Sequence, residues 1–214
     1  MRLGILSDTH NLLRDEVLRA LGGCDCILHG GDICRPDIVH ALEKIAPVYA
    51  VRGNADKEGM EFLPQYRNEE IMGLHVYMTH KKKDLPQDLT CFDLVVFGHS
   101  HQYLENRMGS TVLLNPGSCG PRRFYQPITM ALIDIHEEKI QTTRIEIAHQ
   151  EQKRPSGDMR STIEIVLREY QRGNGHQTIA EKYGLEPETA EQIIRLYVTH
   201  PGVTVDGIMT KMGL

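Results

Sequence analysis

Seven side chains able to ligate a metal recur in a patterned way along the first half of the chain: Asp8 and His10, Asp32, Asn54, His80, and His99 with His101. Each follows a short apolar run, and two of the sets have i, i+2 spacing. Glycine precedes the ligand in Gly30-Gly31-Asp32, Gly53-Asn54 and Gly98-His99-Ser100-His101, and lets backbone approach a bound group closely. Taken singly, each residue has a bland role. Asp8 and Asp32 can cap helices, Gly-Asn is ordinary turn chemistry, and a lone histidine is usually a satisfied polar residue. Taken together, carboxylates, an amide and imidazoles after five strand ends describe a metal centre. Without thiolate, this donor set suits manganese first, and also iron, zinc, nickel or cobalt. Seven ligands exceed what one ion with open positions needs, so two divalent metal ions sharing a carboxylate, typically ~3.5–4 Å apart, fit better.

These residues must be delivered by strands. Arg2–Leu6, Cys26–His29 and Val48–Val51 read as short apolar strands, alternating with helices at Asp15–Leu21 and from Pro36 to Ile45. The pattern then turns strand-rich. Glu69–Met72 and Leu74–Thr79 flank Gly73, Asp93–Phe97 is a continuous apolar strand, and Tyr103–Arg107 with Thr111–Leu114 form a second hairpin. Ile128–Ile135 and Ile140–Ile147 close the region around a polar turn at His136–Lys139. This is an α/β layered domain, and sites in such folds form outside the carboxyl ends of the strands.

The polar stretch Ala148–Asp158 reads as a linker, separating a domain at 1–150 from an all-α one at 159–214. Ser161 or Thr162 is placed to cap a helix to Gln171; Gln177–Tyr183 ends at Gly184, Pro187–Val198 follows, and Pro201–Leu214 has room for one more short helix. The middle pair looks like a helix-turn-helix. That raises an alternative, a regulatory or scaffold protein whose helical domain binds nucleic acid or a protein partner. Charge opposes the nucleic-acid form: residues 158–214 carry eight acids against six bases, and Glu188 and Glu191 open the would-be recognition helix. Dimerisation, partner docking or capping the site fits those helices better.

The remaining composition is that of an ordinary soluble globular chain of 214 residues, 40% hydrophobic and 25% charged. A net charge of -5 provides no bulk attraction to nucleic acid or anionic membrane. The N-terminus turns polar at once, without the apolar core of a signal peptide, and no apolar run is long enough to span a bilayer. Five irregularly spaced cysteines argue against a disulfide framework and for a reducing cytoplasm. The lone Cys24-x-Cys26 has no matching second pair and reads as buried thiols.

In this order, SDTH, GGD, GN, TH and GHSH resemble the calcineurin-like metallophosphoesterase superfamily, and NPGS at Asn115–Ser118 with Pro121-Arg122 resembles its small bacterial and archaeal phosphodiesterase branch. The resemblance covers about residues 1–150 and implies a four-layer αββα sandwich and a homodimer. It implies that Asp8, His10, Asp32 and His101 hold one metal, and Asp32, Asn54, His80 and His99 the other. Asp32 would bridge, and Asp32, Asn54 and His101 would act at the reacting centre. Two cations so held lower the pKa of a bridging water, whose hydroxide attacks a phosphodiester or phosphoanhydride in line, and neutralise the phosphate oxygens. A small phosphodiester or nucleotide is the implied substrate. No serine or cysteine nucleophile is required, and Cys119 reads as a packed thiol.

Two departures matter. Many superfamily members place a histidine after GN that protonates the leaving alkoxide; here Ala55 stands there, which favours good leaving groups. Where the branch shows THGH, this chain has THKKK, so Lys82 or Lys83 becomes a candidate point charge for a substrate phosphate, with Arg122 as a second candidate contact. Scaffold relatives of the fold lose ligand histidines; this chain keeps every expected ligand.

Overall fold

A computed structural model describes residues 1–122, 126–136, 139–148 and 158–214. Most of the linker at 148–158 and the centre of the turn at 136–139 lie outside the described residues. The chain divides into two compact units, Met1–Arg122 with Pro127–His149, and Arg123–Gln126 with Gln150–Leu214.

The first unit contains two five-stranded sheets. In the first, β1 (Arg2–Leu6), β2 (Cys26–His29) and β3 (Val48–Ala50) run parallel, and β9 (Thr129–His136) and β10 (Lys139–Glu146) extend the β1 edge antiparallel. In the second, β5 (Leu74–Thr79), β6 (Leu94–Val96) and β8 (Thr111–Pro116) run parallel, with β4 (Tyr66–Ile71) and β7 (Tyr103–Met108) antiparallel at the two edges. Side-chain alternation explains the layering. Leu3, Ile5, Cys26 and Leu28 point one way and share a core with Val76, Met78, Leu94, Val96, Val112 and Leu114 of the second sheet. Leu6 and Ile27 point the other way, under α1 (Asp15–Leu21) and α2 (Pro36–Glu43), whose Val17, Leu21, Ile38, Val39 and Leu42 are buried.

The αββα layering has a thin fourth layer. On the outer face of the second sheet, Val95, Phe97 and Leu113 are covered by Phe92, Leu85 and Leu89. The helical element there is a single 3-10 turn at Lys82–Asp84. The edge strand β4 begins at Tyr66 rather than Glu69, because Tyr66 and Arg67 pair with Thr79 and Met78.

The second unit is helical: α3 (Met159–Gln171), α4 (His176–Tyr183), α5 (Pro187–Thr199) and α6 (Val205–Met212) bury Ile163, Val166, Ile179, Ala190, Ile193, Ile208 and Met212 together. The cap expected at Ser161 or Thr162 is Asp158 instead. Its carboxylate accepts from Arg160 N at 3.1 Å, and the Ser161 hydroxyl donates back to it, so Ser161 lies inside the first turn. Gly184, with φ 64°, ends α4 as its residue type requires. No helix among the described residues is long and apolar enough to cross a membrane.

Glu169 is the buried acid among the described residues of this unit, accepting hydrogen bonds from Lys182 Nζ (2.9 Å), Arg172 Nη1 (2.8 Å) and Asn174 Nδ2 (3.0 Å). The Lys182 hydrogen bond foremost holds its carboxyl down at about 2. The depressed value sets the sign of the pH dependence. Its stabilisation is complete above the ordinary glutamate range and is lost as pH falls toward 2. Thermal melts of the full chain should therefore show Glu169→Gln less stable than wild type at pH 7, with the gap closing toward pH 2. A gap that stays constant with pH would refute the assignment.

Candidate metal centre

Because β1, β2 and β3 are parallel, and β5 and β6 are parallel, the ligand-bearing loops of each sheet leave from one end. The loops gather six of the expected ligands into two groups, Asp8 with His10 and His101, and Asp32 with His80 and His99. Within each group the ligand atoms lie within 4.8 Å of one another. His101 Nε2 is 3.1 Å from Asp8 Oδ1 and 3.3 Å from His10 Nε2. Asp32 Oδ2 lies 3.3 Å from His80 Nε2 in its own group and 3.8 Å from His10 Nε2 in the other. Asn54 is exposed at the edge of the second group and lines a cavity with His80.

In each carboxylate one oxygen is held and the other left toward the centre. Asp8 Oδ2 accepts from the Ser7 hydroxyl (2.6 Å) and His99 N (3.1 Å); Asp32 Oδ1 accepts from Ala55 N (2.6 Å). His80 Nδ1 donates to Gly30 O at 2.8 Å, which fixes its tautomer and leaves Nε2 as the ligand nitrogen. Asp8 Oδ1 and His80 Nε2 are buried and, among the described residues, satisfied by no hydrogen bond; His101 Nε2 and Asp32 Oδ2 face them without hydrogen-bond alignment. Buried polar atoms without partners are costly in an apolar interior, and cations would satisfy these two. The donor set therefore fits two divalent metal ions.

Electrostatics support ionised carboxylates. Burial opposes charge on Asp8, yet the facing His101, then His80 and the Ser7 hydroxyl, take it down to about 2. Asp32 is likewise lowered: burial opposes, and His80 and the Ala55 N–H outweigh it. Burial and the neighbouring His80 lower His99.

The loops are unusual in backbone conformation. Asp8 (φ 56°), His10 (43°), Asp32 (57°), His99 (71°) and His101 (60°) all occupy the left-handed region. Few non-glycine residues do so, and such strain persists only where the surroundings over-determine it. Close packing requires the adjacent glycines: a Cβ on Gly53 would strike the Asp32 carboxylate, and one on Gly98 would strike the Ser7 hydroxyl.

Two supporting residues escape the sequence pattern. Asp56, 2% exposed, accepts from Asp32 N (3.0 Å) and Gly53 N (2.7 Å) through Oδ2 and from Cys34 N (2.5 Å) through Oδ1. It ties the loops after β2 and β3 together. His29 is fully buried, and burial pushes its imidazole down to about 4. Neutral, it accepts from Gly31 N at Nδ1 (3.1 Å), so Nε2–H donates to Thr9 Oγ1 (3.1 Å). The segment after β8 joins the same network: Asn115 Nδ2 donates to Gly98 O, and the Ser118 hydroxyl to Asp8 O. Cys119 is buried, with its thiol pushed up to about 12 by burial, so it is a packed residue.

Of the candidate substrate contacts, Lys82 is exposed on the 3-10 turn and does not line the cavity beside His80; Lys81 does. Arg122 is half-buried and does not line that cavity.

A two-sheet sandwich carrying two such donor groups beyond its strand ends is the arrangement of a metal-dependent phosphoesterase. Comparison with known proteins agrees: the calcineurin-like phosphoesterase superfamily domain matches residues 1–138, and the chain belongs to that superfamily. It is 35% identical over 147 residues to a probable metallophosphoesterase of Methanothermobacter thermautotrophicus, covering 62% of this chain and 85% of that one. It is 26% identical over 141 residues to a phosphodiesterase of Methanocaldococcus jannaschii, covering 56% and 84%. The solved structure of an archaeal phosphodiesterase superposes with a TM-score of 0.57 at 23% identity, covering 69% of this chain and all 100% of that one.

Proposed function

We propose that this protein is a phosphodiesterase that hydrolyses phosphodiester or phosphoanhydride bonds at a centre holding two divalent metal ions. The observation that carries the reading is the Asp32 carboxylate. Oδ1 is held by Ala55 N while Oδ2 lies within 4 Å of an imidazole of each group, the position of a shared ligand. Asp8, His10 and His101 would hold one ion and Asn54, His80 and His99 the other, with Asp32 common to both. Ions at these positions supply an acidified water and neutralise the oxygens of a phosphate.

The chain's own residues supply position and charge. His80 is oriented by Gly30 O, and Asp8 by Ser7 and the His99 backbone. The phosphodiesterase and metallophosphoesterase relatives support the same substrate class.

Ala55 limits that chemistry. Its N–H holds Asp32, but its methyl offers no proton to a departing alkoxide. A Mn²⁺-supplemented screen should therefore show bis(p-nitrophenyl) phosphate and phosphoanhydrides turned over about 10²-fold faster than glycerol phosphate, the factor that general acid catalysis typically contributes. Equal or faster turnover of the alkyl monoester would sink the leaving-group argument. No hydrolysis of any ester by the metal-loaded protein would sink the phosphodiesterase reading.

A further inference from the structure

Beside the second ligand group lies a cavity of about 90 Å³ lined by Arg52, Gly53, Asn54, Gln65, Thr79, His80, Lys81 and Asp84. A water occupies roughly 10–15 Å³ on this measure, so the cavity has room for one tetrahedral anion. Two of its walls, Asn54 and His80, belong to the metal centre. The others include two cations against a single acid, Asp84. Neither Arg52 nor Lys81 forms an ion pair among the described residues. Both are nevertheless placed by the fold. Arg52 N donates to Pro64 O at 2.7 Å, and its Nε donates to Asp56 O at 3.3 Å, which leaves the rest of the guanidinium for a ligand. Lys81 directly follows His80, whose ring is fixed on Gly30 O.

A simple phosphodiester carries one negative charge, which the metal centre itself would meet. A surplus of positive charge immediately beyond Asn54 and His80 has no use for such a substrate. We propose that Arg52 and Lys81 form a subsite for a second phosphoryl group of the substrate, so that the preferred class carries two or more phosphates, as in nucleoside polyphosphates or bisphosphates. The subsite rests on the phosphoesterase reading for its context, because the scissile phosphate occupies the metal centre while its neighbour enters the cavity. Arg52 offers planar paired donors and Lys81 a mobile point charge, a combination suited to a phosphate that must enter and leave.

The test is a binding measurement, so that it does not depend on turnover. Mn²⁺-saturated full-length protein is titrated calorimetrically with methylenediphosphonate, whose P–C–P link resists hydrolysis, and with methylphosphonate. Wild type should hold the diphosphonate at least about tenfold more tightly, the scale of one or two charge-assisted hydrogen bonds. Arg52→Met and Lys81→Met should each remove most of that preference, and Lys81→Arg should keep it. No preference in wild type, a preference unchanged by both methionine variants, or equal weakening of both anions would overturn the subsite. Failure of the protein to hydrolyse any ester would instead count against the phosphoesterase reading and leave this affinity ratio as it stands.

Discussion

Asp32→Asn is expected to lower turnover of bis(p-nitrophenyl) phosphate about 10³-fold and to weaken the apparent affinity for Mn²⁺, with little change in Tm. The asparagine oxygen can still accept from Ala55 N, so the loop after β2 keeps its anchor. What is lost is the charge at Oδ2, the atom placed between His80 and His10. Supporting partners of metal ligands typically cost 10–100-fold when removed, and preorganised electrostatic groups about 10²–10³-fold. As the proposed common ligand of both groups, Asp32 belongs at the upper end of that range. The measurement is steady-state turnover across a metal titration. A variant within tenfold of wild type at saturating Mn²⁺ would show that Asp32 is not shared.

The second large effect is expected at a residue that is no candidate ligand itself but holds the backbone N–H of one, Asp32. Asp56→Ala should lower stability by about 3–5 kcal/mol, since it strands three buried or half-buried N–H donors that its carboxylate now satisfies. For a chain of this size that corresponds to a Tm lower by about 10 °C. Metal affinity should fall with it, because Asp32 N and Gly53 N are two of the three donors. Asp56→Asn, which keeps one acceptor oxygen, should fall between the two. A loss of stability with unaltered Mn²⁺ affinity would show that Asp56 holds the fold but not the site.

The contrast between these two aspartates shows how much was legible in the chain. Asp32 announces itself: it follows an apolar strand, stands after two glycines, and has counterparts after four other strands. Six of the seven expected ligands gather into the two groups on that logic alone, and Asn54 lines the cavity with His80. Asp56 reads as one more turn former in a Gly-Asn-Ala-Asp segment, because its partners Asp32 and Cys34 lie 24 and 22 residues away and are backbone groups without side-chain signature. His29 is hidden for a similar reason, as the last residue of a buried strand whose ring reaches into the loop beyond β1. In the Lys81–Lys83 run the sequence points to Lys82 or Lys83 as the phosphate contact, because Lys82 stands where THGH has its last histidine. The 3-10 turn exposes Lys82 and Lys83 and leaves Lys81 on the cavity wall. The cap of α3 lies three or four residues before the expected Ser161 or Thr162, because their hydroxyls look like acceptors in a sequence, whereas in the fold both donate to Asp158.

The five candidate ligands held at positive φ set a standing tension between durability and activity. At about 1 kcal/mol apiece, the left-handed conformations amount to on the order of 5 kcal/mol. Folded proteins of ordinary stability keep only about 5–15 kcal/mol in total. Substituting glycine at any of the five would relax the backbone and remove a ligand in the same step. Selection for thermal robustness alone would therefore erode this end of the molecule first. These residues endure only while hydrolysis is itself under selection, or while cations, once bound there, return the energy that the loops hold in reserve.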